Sequence, residues 1–144
     1  MSLDIIYLDP ATFVRMQQSD QPVVAYPCRL QGVPCGMFVE GTTTAFSAHL
    51  RQQHGMTGPD NASISCTWAG CSKTIKKGSM ARHILTHLGV KVRCAMCGVV
   101  KCRRDVLRAH IMSSTPCHSA IMNAVHGPEG RALLGTVNTA IDQA

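Results

Sequence analysis

Large ring side chains are scarce in this chain of 144 residues, with three Phe, two Tyr and one Trp. A single globule of that length ordinarily fills its interior with such groups, so their scarcity argues against one continuous oily core. Acids are few as well, eight against fourteen Lys and Arg, giving a formal net charge of +6. No apolar run approaches the roughly 20 residues that span a bilayer. The N-terminal MSLDIIYLDPATFVRMQQ lacks the basic start, apolar stretch and small-residue cleavage site of a secretory signal. The expectation is a soluble, intracellular chain.

Cysteine and histidine are plentiful instead, eight and seven. Thiols stay reduced inside cells, so cysteines followed at ligand spacing by histidines point to metal rather than to disulfides. Structural zinc contributes an apparent ~10–16 kcal/mol per site in small peptides, enough to fold modules whose cores are too small to do so alone.

The spacing sharpens this. Cys66, four residues, Cys71, eleven residues, His83, three residues and His87 fit a tetrahedral site of two thiolates and two imidazoles. The cysteines would sit on a knuckle between two strands, and the histidines, four apart, on one face of a helix. Upstream, Cys28, six residues, Cys35, thirteen residues, His49, four residues and His54 repeat the pattern with a wider knuckle turned by Gly32 and Pro34. Downstream, Cys94, two residues, Cys97, twelve residues and His110 repeat it again. There the fourth ligand is Cys117 or His118; Pro116 ends the helix just ahead of Cys117 and favours the thiolate.

This arrangement resembles the two-cysteine, two-histidine zinc-finger family, and Cys66-Thr67-Trp68-Ala69-Gly70-Cys71 resembles the fingers of the Gli and Zic families. The resemblance implies a small α+β, zinc-stabilised fold of three tandem ββα zinc fingers with short helical N- and C-terminal extensions, and three structural zinc ions. In sequence order these are a leader at 1–27 packing on finger one, fingers at 28–54, 66–87 and 94–118, a linker at 55–65, a short linker at 88–93, and a helical extension at 119–144. Trp68 would dock on finger one or cover its own site. Phe46 and Leu107 take the place of the family's core leucine. Val39 or Phe38 would plug finger one, Ile75 and Met80 finger two, and Val100 with Cys102 finger three.

In the leader, Asp9 as N-cap and Pro10 at the first helical position predict a helix to about Gln18 with Phe13 and Met16 on one face, and Val23 to Tyr26 predicts a strand. In the extension, Ile121, Met122 and Val125, then Leu133, Leu134, Val137 and Ile141, are helically spaced around the break GPEG. That segment would pack on finger three or form a homodimer.

Charge suggests the partner. Between Cys66 and His118 lie ten basic residues and one acid, Asp105, while the rest is close to balanced. Such a block suits a polyanion, and double-stranded DNA is the first expectation. By resemblance, base contacts fall to Lys76, Ser79 and Arg82 in finger two and to Arg103 in finger three, with Asp105 steadying Arg103 against a guanine. Lys77, Arg104 and Arg108 join them as DNA-binding residues. Finger one, with Thr42, Ala45 and Ala48 there, would scaffold. The implied protein is a nuclear, sequence-specific transcriptional regulator; a protein-binding or RNA-binding module is the alternative. An enzyme is not expected, because four protein ligands close each site and no nucleophile motif accompanies them.

Overall fold

A computed structural model of the protein describes residues 6–31 and 35–135. Ile5, Gly32, Pro34, Val137 and Ile141 lie outside the described residues. Asp9 caps helix α1 (Pro10–Gln18) by accepting from the Thr12 N–H at 3.2 Å, with Pro10 in the first turn. The buried face of α1 differs from the expected one. Thr12 is fully buried and its hydroxyl accepts from the Glu40 N–H at 2.9 Å, whereas Phe13 is 49% exposed. Asp9, Thr12 and Met16 share the inward stripe, so polar anchoring rather than apolar spacing sets the rotation of this helix. Around α1, strand β1 (Tyr7–Leu8) runs parallel to β3 (Met37–Glu40), and β2 (Val23–Pro27) pairs antiparallel with β3.

An antiparallel strand pair and the helix that follows it supply the first two Cys/His groups and the first three residues of the third. Helix α2 (Thr43–His54) follows β2 and β3. It opens on the Thr42 side chain, which accepts from the Ala45 N–H, and closes at Gly55 with φ 62°. Strands β4 (Ser63–Ser65) and β5 (Thr74–Lys76) lead through a single 3₁₀ turn, Lys77–Ser79, into α3 (Met80–Leu88). Strands β6 (Lys91–Cys94) and β7 (Val100–Lys101) precede α4 (Arg104–Ser113).

The first two units are not separate beads joined by a loop. Tyr26, Leu30, Val39, Phe46 and Leu50 of the first share one core with Trp68, Met80, Ile84 and Leu88 of the second. Their knuckles pair by backbone: the Gln31 N–H donates to the Thr67 carbonyl at 2.8 Å, and the Ala69 N–H to the Arg29 carbonyl at 3.1 Å. Leu30 and Trp68 face each other across that bridge. Thus the span expected as a linker at 55–65 connects two halves of one body and yields its last three residues to β4.

Val92, Cys94, Leu107, Ile111 and Cys117 form a second, smaller core. Val100 and Cys102 do not plug it, since Val100 is 43% exposed and Cys102 lies at the surface. The register explains the correction. Lys101 lies opposite buried Val92, so by two-residue alternation Val99 shares the inward face and packs there, while Val100, opposite Arg93, points out.

The described part of the C-terminal extension is strand rather than helix. Strand β8 (Met122–Val125) pairs with β6, and β9 (Arg131–Leu133) pairs with β2. Short apolar runs do not distinguish the two states locally, and here the open edges of β6 and β2 decide. The linker expected at 88–93 is likewise structured: α3 ends at Gly89, φ 80°, and β6 begins two residues later.

Between β8 and β9 the chain crosses the end of α3. There the Gly127 N–H donates to the Tyr26 hydroxyl at 2.8 Å, and Glu129 pairs with Arg29. A Cβ on Gly127 would collide with the Leu88 carbonyl oxygen, with the carbonyl carbon only 2.8 Å away. Backbone cannot swing aside, so Gly127→Ala should cost about 1–3 kcal/mol, the usual range for overpacking. Amide exchange should accelerate across residues 122–133 with the metal content unchanged; unaltered exchange there would show that this strap does not depend on the close approach.

Candidate metal centres

A tetrahedral ion bonded to sulfur at about 2.3 Å and to imidazole nitrogen at about 2.0–2.1 Å, the lengths zinc adopts, sets edges of about 3.5–3.6 Å from sulfur to nitrogen and about 3.3–3.4 Å between nitrogens. The protein brings its donors to nearly these separations. In the first cluster Cys35 Sγ lies 3.5 Å from His49 Nε2, Cys28 Sγ 3.6 Å from His54 Nε2, and the two nitrogens 3.2 Å apart. In the second the corresponding distances are 3.5 Å for Cys71 and His83, 3.8 Å for Cys66 and His87, and 3.0 Å between the nitrogens. In the third, Cys97 Sγ stands 3.3 Å from His110 Nε2. Within each cluster all four donor atoms fall inside 4.8 Å of one another.

Local structure delivers these donors. His83 and His87 are one turn apart on α3, while His54 is the last residue of α2, where the helix end lets a spacing of five reach the same point as His49. The third cluster completes itself differently. After α4 the chain passes Ser114 in an extended conformation and makes a single 3₁₀ turn, Thr115–Cys117, which returns buried Cys117 to Cys94 and Cys97. His118 is exposed and outside the group. That cluster is therefore three cysteines and one histidine.

The thiols differ in their surroundings. The N–H of Cys97, then that of Met96, holds the Cys94 thiol down at about 6 against the opposing effect of burial. Burial pushes the Cys28 thiol up to about 12. Trp68 serves two neighbours: its backbone N–H donates to Cys66 Sγ at 3.4 Å and its ring stacks on His87, with centroids 5.8 Å apart and planes 6° from parallel. Its other side belongs to the core shared with Leu30 and Phe46. Docking on the first unit and covering the second cluster are thus one placement.

No family model, curated protein or solved structure matches the chain. The chemistry of the site rests on its own geometry. Three Cys/His clusters able to hold metal, of the zinc-finger-like kind, are what that geometry establishes.

The basic candidates divide. Arg82, Arg103, Arg104 and Asp105 line one cleft of about 730 Å³ together with Lys91 and the Thr42–Thr44 end of α2. Arg103 Nε and an Nη donate to the two carboxylate oxygens of Asp105 at 3.0 and 2.6 Å, and the guanidinium holds the Asp105 carboxyl below its ordinary range. Ser79 accepts from Arg82 at 3.3 Å. Lys77 turns elsewhere, to Asp60 at 3.6 Å, and lines a different hollow. Lys76 and Arg108 are exposed and line neither. Lys91, in the stretch expected as the short linker, takes its place in the cleft from the strand that begins there.

Proposed function

We propose that the three clusters hold structural zinc and that the body they stabilise binds duplex DNA as a sequence-specific transcriptional regulator. Two-thiolate, two-imidazole and three-thiolate, one-imidazole sets of tetrahedral size suit zinc over harder cations. Four protein ligands leave no coordination position for water or substrate, which supports a structural and not a catalytic role. The reading implies a nuclear protein.

The observation that carries the DNA reading is the Arg103 and Asp105 pair at the start of α4, flanked in one cleft by Arg82, Lys91 and Arg104. A guanidinium already held flat by a carboxylate keeps edge donors for the O6 and N7 of guanine. The remaining cations are available for phosphates. The cleft's concave shape, walled by parts of all three units, favours a second reading in which an acidic protein segment lies there.

Salt separates the two. Binding to a duplex should fall with salt at a log-log slope of about −0.9 per phosphate contact. Substituting Arg103→Ala should cost ~1–3 kcal/mol and relax preference at one guanine in a selection from randomised duplexes. A flat salt response would favour the protein partner, and unaltered selectivity would remove Arg103 from base reading.

A further inference from the structure

Asp9 is a fully buried acid whose two oxygens are both used. Oδ2 accepts from the Thr12 N–H at 3.2 Å and caps α1. Oδ1 lies 2.9 Å from Nδ1 of His49, which is also fully buried, and the Nε2 of the same ring points into the first cluster. Among the described residues, no carboxylate is hydrogen-bonded to His54, His83, His87 or His110. One histidine thus has a dedicated anion behind it. An Nδ1–H donated to a carboxylate fixes the ring's tautomer and plane and makes Nε2 a stronger base toward a cation.

We infer that Asp9 is a positioning residue for the metal at the first cluster, and that through it the seating of the N-terminal segment and the loading of that ion are coupled. The inference rests on the reading that the cluster holds an ion. The same carboxylate that orients His49 starts α1, and the backbone N–H of Asp9 donates to the Phe38 carbonyl of β3 at 3.0 Å. An ion that needs His49 in this orientation favours the docked segment, and by linkage the docked segment favours the ion to the same degree. Among the described residues, neither the second nor the third cluster has such a tie to the leader.

The test uses the full zinc-loaded chain, with zinc competed away by a chromogenic chelator and bound ions counted by native mass spectrometry. Asp9→Ser retains an N-cap oxygen for Thr12 but is too short to reach His49. Asp9→Asn keeps the size and the cap but offers one oxygen where two are needed. In both, one of the three ions should bind about 10–100-fold more weakly while the other two stay as in the native chain. The protected Nδ1–H proton of His49 should vanish from the NMR spectrum of Asp9→Ser, and amide exchange over residues 10–18 should rise in the native chain when the weakest ion is withdrawn. Three ions held at native affinity in both variants would overturn the inference, as would an equal loosening of all three in Asp9→Asn. A native chain that takes up only two ions, with the first cluster's cysteines still reactive to alkylation, would overturn the metal reading beneath it.

Discussion

Stripping the protein of metal with a strong chelator should abolish its ordered structure, with loss of helical circular dichroism, collapse of amide dispersion and a red shift of Trp68 fluorescence. Each structural zinc contributes an apparent ~10–16 kcal/mol in comparable peptides. A whole domain is ordinarily stable by only about 5–15 kcal/mol, so the loss of even one ion is comparable to the entire margin. What would remain is thin. The third unit's buried core is Val92, Leu107 and Ile111 with two of the cysteines that would lose their ion. In the first unit His49 is fully buried and Cys28 is partly so, and losing an ion would leave the buried ring's Nε2 crowded by Cys35 and His54 with nothing to bind them together. Trp68, stacked on His87, is the only tryptophan and reports directly on the second cluster. Refolding on return of about three equivalents of zinc would complete the expected result. Retention of ordered helices after exhaustive chelation would refute a metal-held fold.

Features written in adjacent residues were the legible ones. Asp9 followed by Pro10 announces a helix start because capping needs only a side-chain oxygen and a missing N–H within one turn. The first two donor sets were legible because two histidines on one helix and two cysteines on one knuckle converge by local geometry, and the third was legible up to its last ligand, Cys117 or His118, which lies beyond the helix. Contacts made at a distance were not. The β8 and β9 segments adopt strands because β6 and β2 offer edges, and nothing within four or three residues encodes that choice. The exchange of Val99 for Val100 in the third core depends on a register of one residue, which reverses every face it touches. Asp9 reaches His49 across forty positions, so its cap was readable and its second oxygen was not. A buried acid always requires a partner, but the sequence did not reveal that Asp9 was buried.

Trp68→Ala should be the most damaging single substitution outside the ligands. Removing a buried tryptophan typically costs about 3–5 kcal/mol, from lost transfer free energy and from the cavity that remains. Here the indole is 6% exposed and lies within the core that the first two units share. On one side are Leu30 and the core around Phe46, and on the other the His87 ring. Denaturant unfolding measures the loss, and amide exchange locates it. If the indole joins the two units, protection should fall in both α2 and α3 while α4, in the other core, changes little. Leu30→Ala should then reproduce part of the effect from the opposite side, with the two substitutions non-additive in a double-mutant cycle because they empty one shared contact. Confinement of the change to β4, β5 and α3, with α2 fully protected, would reduce Trp68 to a cover for its own cluster. The single body formed by the first two units would then depend on the knuckle bonds from Gln31 to Thr67 and from Ala69 to Arg29.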